Sequence, residues 1–388
     1  MNAPRRGTPD FLLLFLTFLL VGFGLVMVFS ASSMIAVSSD KFKHNAWYFT
    51  ERQIIWAALG TFGMLVIMNM PIEFLKKWFK PFFAIVTVML VLVLFTEKVN
   101  GARSWFGIGS FGVQPTEFAK LAVILYLSAL ISKKGEKIRN WQKGLMPVLM
   151  IVGLMAGLIM LQPDFGSCMI LLICALTVIV AGGANLKHLF LAGSVLTGIA
   201  SLFLAGYMLA VKAVGGDFGY RMERITSYLD PWSDPQGAGY NLIQSWYALA
   251  HGGLTGTGFG QSIQKLHYLP YPYNDFIFAV IGEELGFIGT IVFLIVYIAF
   301  LWRGLIIALR SENIFGTLAG AGIIGMIGSQ ALINIGGVTG AIPITGVTLP
   351  FISYGGTSLL MTLASVGVLL SISRDTNRDE RDDTKKRA

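Results

Sequence analysis

Residues 11–31 read FLLLFLTFLLVGFGLVMVFSA, twenty-one positions without a charge. A helix rises about 1.5 Å per residue, and roughly 20 apolar residues cross the hydrocarbon core of a bilayer. No small-residue cleavage site follows this run, so it reads as a retained helix rather than a secretory signal. The pattern then recurs. Further spans are expected at about 53–70, 81–96, 115–132, 145–161, 167–184, 188–211, 275–302, 315–338 and 347–372. Over the 388 residues, 55% are hydrophobic and 13% charged, too little charge to clothe a soluble surface of that size. The expected fold class is therefore all-α: a polytopic membrane protein of about ten transmembrane helices.

The fifth and sixth spans are separated only by Gln162-Pro163-Asp164-Phe165-Gly166, which predicts a tight hairpin. Glycines four apart (Gly153/Gly157, Gly282/Gly286, Gly316/Gly320) suit close helix packing. Cys168 and Cys174, six apart in one apolar run, point to different sides of a helix and would not pair.

The net charge is +8, but the cations fall in short clusters between apolar runs rather than on one basic face, so no nucleic-acid partner is expected. They orient the bundle instead. With the N-terminus inside, nineteen Lys and Arg fall on inside segments and nine on outside ones, and Lys120 lies within a span. This predicts both termini in the cytoplasm and an even number of helices. The chain divides into a cytoplasmic tail at 1–10, a transmembrane domain at 11–373 and a charged tail at 374–388. Two outside segments stand out: Glu97 to Val113, and a loop of about 212–274 between helices seven and eight, rich in Gly, Pro, Tyr and Trp. A loop of that length usually carries function.

Several chemistries are missing. There is no phosphate loop and no H-E-x-x-H metal motif, and the four histidines are scattered, so no spacing identifies a metal site. The run GGLTGTGFG at 252–260 does not fit a dinucleotide fingerprint. It reads as backbone that must turn or approach something closely. The residues that remain informative are charges in or against the membrane, where ionisable groups are costly and usually functional. Glu117 and Lys120 lie three apart, on one helix face, as a self-neutralising pair or as part of a site. Asp164 follows Pro163 at a hairpin, where helix capping is a natural role. Asp275 ends the long outer loop behind Tyr268, Pro270, Tyr271, Pro272 and Tyr273. It is placed to cap a helix or, in a partly dry setting, to act as a general base. Glu283 and Glu284 lie deeper in the same helix and, being adjacent, cannot face one partner.

These residues sit in longer stretches: NGARSWFGIG at 100–109, GVQPTEFAK at 112–120, QPDFG at 162–166, ITSYLDPWSDPQGAGYNLIQS at 225–245, GGLTGTGFGQS at 252–262, NDFIFAVIGEELGFIG at 274–289 and AIPITGVTLPFISYGGTS at 341–358. Over about residues 11 to 374, in this order, they resemble the SEDS family (shape, elongation, division and sporulation proteins), the family of FtsW, RodA and SpoVE. The wording around Ile225 to Ser245 is closer to the FtsW/SpoVE branch.

The resemblance implies a peptidoglycan glycosyltransferase that polymerises lipid II, an undecaprenyl-diphosphate-linked substrate, at the outer face of the bacterial cytoplasmic membrane. It implies a class B penicillin-binding protein transpeptidase as partner, a role in cell division or sporulation, and a divalent cation (Mg or Mn) by family expectation alone. Asp275 is then the catalytic carboxylate, Trp105 is needed for activity, and Glu117 and Lys120 line the same cavity, with Arg103 and Asp164 in support. Arg103, Lys120, Arg221 and Arg224 could hold the diphosphate. Trp105 could offer a sugar or polyprenyl chain an apolar face, or simply anchor at the interface. The chain departs from the family pattern just before Asp275, where Tyr271 and Asn274 stand in place of a usual Glu and Thr. Two other functions fit a ten-helix body with a polar cavity: a lipid II flippase, and a non-catalytic scaffold for a transpeptidase.

Overall fold

The computed structural model describes residues 7–97, 102–108, 111–195, 198, 201, 228–237 and 239–387. The apolar runs form α1 (Phe11–Val37), α2 (Tyr48–Met68), α3 (Ile72–Leu92), α4 (Pro115–Lys134), α5 (Met146–Met160) and α6 (Phe165–Ala181). A helix α7 follows over residues 186–195. Then come α8 (Tyr240–Gly252), α9 (Ile277–Arg310), α10 (Ile314–Thr339) and α11 (Gly356–Arg387). Among the described residues, eight helices are long and apolar enough to cross a membrane, and α6 is a shorter apolar one. The chain is a multi-pass membrane protein. The expected span at 188–211 opens as α7, and beyond it only residues 198 and 201 of that span are described, both helical.

Four expectations about elements are corrected. The second and third spans begin at Tyr48 and Ile72 rather than 53 and 81. In α3, Lys76, Lys77 and Lys80 break the apolar run, yet long side chains reach the interface while their stems stay on the helix. Pro81 sits inside that helix, as prolines in membrane helices are allowed to do. The last helix starts at Gly356 instead of 347, because Pro350 and the turn-forming stretch before it keep 341–355 irregular. The long outer loop also contains α8, an amphipathic helix.

Burial separates centre from rim. The α4 span is 78% buried and that of α11 83%, whereas the α3 span is 17% buried and leaves Phe74, Trp78, Ile85 and Val88 outward. A helix exposed on that scale in a membrane faces lipid. Of the glycine pairs, Gly316 and Gly320 meet Ser311 and Ala308 closely, but Gly153 and Gly157 have nothing within contact distance.

The first described residues and the second half of α11 meet on one face of the bundle. Asp10 caps α1 by accepting from the Leu13 N–H at 2.9 Å, and it pairs with Arg303 at 2.6 Å. Arg374 donates to the Gly7 carbonyl at 2.9 Å, and Asn377 to that of Thr8 at 2.7 Å.

Candidate active site

At the opposite end of the bundle, three consecutive carbonyls before α9 are each held from across the molecule. The Tyr273 carbonyl accepts from the Tyr354 N–H at 2.8 Å. The Asn274 carbonyl accepts from Ser353 Oγ at 2.7 Å, and that of Asp275 from Asn334 Nδ2 at 2.8 Å. Phe276 holds the N-cap position of α9, so Asp275 stands one residue outside the cap, half-buried. Its carboxylate lies over Gly346: a Cβ there would come within 3.6 Å of Asp275 Oδ2. Gly346 has φ +74°, a conformation glycine adopts without cost. Behind this loop, Phe49, Tyr273 and Tyr354 pack, largely edge to face, into an aromatic wall with centroids 4.3 to 5.8 Å apart. Burial there, with Tyr271 and Tyr354 adding to it, pushes the Tyr273 hydroxyl up to about 12.

A second group of predicted residues meets the same irregular segment. A Cβ on Gly166 would lie 2.9 Å from the Thr345 carbonyl, so the first turn of α6 abuts the residue before Gly346. Asp164 caps α6 through the Ser167 N–H at 3.0 Å, as its position after Pro163 suggested. Its other oxygen accepts from Gln114 Nε2 at 3.3 Å. Gln114 precedes α4, whose first two turns hold Glu117 and Lys120, bonded at 2.8 Å and almost fully buried. The N-termini of α4 and α6 therefore converge here, and helix N-termini favour negative charge.

Trp105 enters through a small hairpin, β1 (Phe106–Ile108) with β2 (Phe111–Val113). Its ring lies against Gly112, where a Cβ would come within 2.9 Å of it. Thr357, at the start of α11, donates to the Gly112 carbonyl at 3.0 Å and ties the hairpin to the bundle. Arg103 is held locally. It is exposed and donates to the Leu94 carbonyl at 3.0 Å, satisfying a carbonyl in the short 3-10 turn that follows α3. Arg221 and Arg224 lie outside the described residues.

The Gly-rich run and the two adjacent glutamates explain each other. The long α9 is broken at Gly286, φ +65°, and the backbone of 252–258 packs into the break. The Thr257 and Gly258 N–H groups donate to the carbonyls of Glu283 and Glu284, and Phe287 and Ile288 donate to those of Gly253 and Leu254. A Cβ on Gly286 would sit 2.2 Å from the Gly256 nitrogen, which no side chain permits. Glu283 and Glu284 face opposite partners, as their adjacency requires. Glu283 accepts from His251 at 2.9 Å, from the Ile263 N–H at 3.0 Å and from Ser262. Glu284 pairs with Lys265 at 2.7 Å and accepts from Ser30 at 2.7 Å. Lys265 is not among the site residues that the sequence marks. Its only signal was a lone lysine among loop glycines and aromatics.

Comparison with known proteins gives the family of the chain. The model of the FtsW, RodA and SpoVE cell cycle proteins matches residues 11–378. The chain belongs to that family. Stage V sporulation protein E of Bacillus subtilis (strain 168) is 44% identical over 374 residues, covering 95% of this chain and 98% of the relative. The probable peptidoglycan glycosyltransferase FtsW of Trichlorobacter lovleyi is 39% identical over 372 residues, 95% of this chain and 94% of its own. Among solved structures, a chain of a peptidoglycan synthase complex that coordinates polymerization and crosslinking superposes with a TM-score of 0.73 at 28% identity, covering 95% of this chain and 98% of its own. The rod shape determining protein RodA of Thermus thermophilus gives 0.67 at 27% identity, covering 95% and 97%.

Among the described residues, no group of three or more His, Cys, Asp or Glu is arranged to hold a metal ion. A magnesium-type cation is usually held by one or two carboxylates together with substrate phosphates rather than by an all-protein cage.

Proposed function

We propose that this protein is a peptidoglycan glycosyltransferase that polymerises lipid II at the outer face of the cytoplasmic membrane, in cell division or sporulation. The observation that carries the reading is the setting of Asp275. A half-buried carboxylate at the bundle's far end is held by a backbone pinned at three successive carbonyls, over a glycine that leaves space beside it. A general base must be fixed within hydrogen-bond reach of the proton it removes. Asp275 takes the proton from the 4-hydroxyl of the acceptor sugar as its oxygen bonds to the donor's anomeric carbon. The bond from that carbon to the diphosphate breaks, and undecaprenyl diphosphate leaves with the electron pair. The buried Lys120 and the converging starts of α4 and α6 supply positive potential for that leaving group. Trp105, on its hairpin, presents an aromatic face to a sugar or the polyprenyl chain.

The partner is proposed to be a class B penicillin-binding protein that cross-links the product. The superposition on a chain of a peptidoglycan synthase complex that coordinates polymerization and crosslinking supports that pairing. The test is polymerisation of lipid II by the purified protein, alone and with a candidate transpeptidase. Asp275→Ala is expected to abolish glycan strands while leaving folding and partner binding intact. Parental polymerisation by that variant would remove Asp275 from the mechanism. Transbilayer movement of lipid II by a protein that makes no strands would favour the flippase, and cell rescue by Asp275→Ala would favour the scaffold.

A further inference from the structure

We propose that Asn334 is a positioning residue for the Asp275 carboxylate. The proposal rests on the reading of Asp275 as the reacting base. Asn334 lies in α10, five residues before its end, and is 4% exposed. Its side-chain nitrogen donates to the Asp275 carbonyl at 2.8 Å and to the Val347 carbonyl at 2.7 Å. An amide carries two N–H donors, and here each goes to a carbonyl of a different segment. That assigns the amide's orientation: turned over, its oxygen would face two carbonyl oxygens.

The two carbonyls matter because of where they lie. One belongs to the residue that bears the carboxylate. The other follows Gly346, whose backbone lies beneath the carboxylate. One buried side chain thus sets the distance between the base and the wall it works against. Ser353 and Tyr354 hold the neighbouring carbonyls of Asn274 and Tyr273, whereas Asn334 is the clamp that reaches Asp275 itself. The side chain makes no contact that would recognise substrate. Its loss should therefore act on the chemical step, where a misplacement of about 1 Å costs on the order of 100-fold.

The experiment measures kcat and KM for lipid II in the full-length protein with its transpeptidase, with rates normalised to lipid II bound at saturation so that loss of folded protein does not register. Asn334→Ala is expected to lower kcat roughly 10- to 100-fold and to leave KM nearly unchanged. Ser353→Ala, one carbonyl further away, should give a smaller fall in the same parameter. Parental kcat in Asn334→Ala, or a raised KM with parental kcat, overturns the proposal. If Asn334→Ala does not accumulate folded, Asn334→Ser, which keeps one donor, is read by the same criterion alongside Ser353→Ala. Parental kcat in both would overturn it. Asp275→Ala run in parallel separates the two readings. If it is inactive while the Asn334 variants turn over normally, only the positioning role fails. If Asp275→Ala polymerises, the base assignment fails first.

Discussion

Glu117 and Lys120 bring opposite charges into the same buried turn of α4, 2.8 Å apart. Their spacing alone showed that they would meet. What the pair does was open, because an ion pair and a site look alike in sequence. Removing one partner of a buried pair strands the other charge and costs about 3–5 kcal/mol, whereas replacing both is often close to neutral. Glu117→Gln is therefore expected to lower thermal stability by that order, measured by melting in detergent. Glu117→Gln combined with Lys120→Met should recover most of it, yet still fail to polymerise lipid II. A double variant as active as the parent would make the pair structural only. Tyr273 gives a second test at this scale. Its hydroxyl is raised by burial from about 10 to about 12, so the folded state holds this proton more tightly than the unfolded one. Stability should be unaffected below pH about 10, fall between there and about 12, and level off above. The full fall is about 3 kcal/mol. Tyr273→Phe should flatten that part of the melting-versus-pH curve. Asn334, Gln114 and Thr357 left no such mark in the sequence. They are neutral polar residues whose hydrogen-bond partners lie 13 to 245 positions away.

The apolar helices were readable in the sequence because lipid imposes length and composition on them. The segments that build the site were not, because they obey tertiary contacts instead. Residues 347–355 read as the start of the last helix, yet the whole stretch 341–355 runs irregularly over α6 and Asp275. The helix α8 was hidden in a polar loop, and the break at Gly286 lay within what reads as one continuous apolar run. The glycines at 252–260 read as backbone that must turn or approach something closely, but the partner, the broken turn of α9, has no local signal. This junction is held by a buried charge pair. Lys265 and Glu284 are each almost fully buried and 2.7 Å apart, with Ser30 of α1 bonded to both. Lys265→Met leaves the Glu284 carboxylate with a hydroxyl and no counter-charge, at an expected cost of about 3–5 kcal/mol. The loss should appear as faster hydrogen exchange confined to residues 253–265 and the first turns of α9. Adding Glu284→Gln to Lys265→Met should restore much of the protection. Uniform exchange across the bundle in the single variant would argue against a local clamp.

For the whole molecule, the contacts and the charges converge on one orientation. The face that holds Asp10, Arg303 and Arg374 carries the cation-rich segments, and such segments stay in the cytoplasm. The helix α1 has 27 residues, about 40 Å at the usual rise, so its far end with Lys41 emerges across the bilayer. Asp275, at the start of α9, lies at the opposite end of that helix from Arg310. The site is therefore external if, and only if, the termini are internal. Both native cysteines are buried, Cys168 at 6% and Cys174 at 0% exposure, so an introduced thiol can report alone. Lys41→Cys, exposed beyond α1, should react with a membrane-impermeant maleimide in intact cells. Glu312→Cys, exposed in the turn between α9 and α10, should react only after permeabilisation. The reverse pattern would place Asp275 in the cytoplasm, where strands could not be added to a wall outside the membrane. It would thereby remove the proposed function even if every distance at the site held.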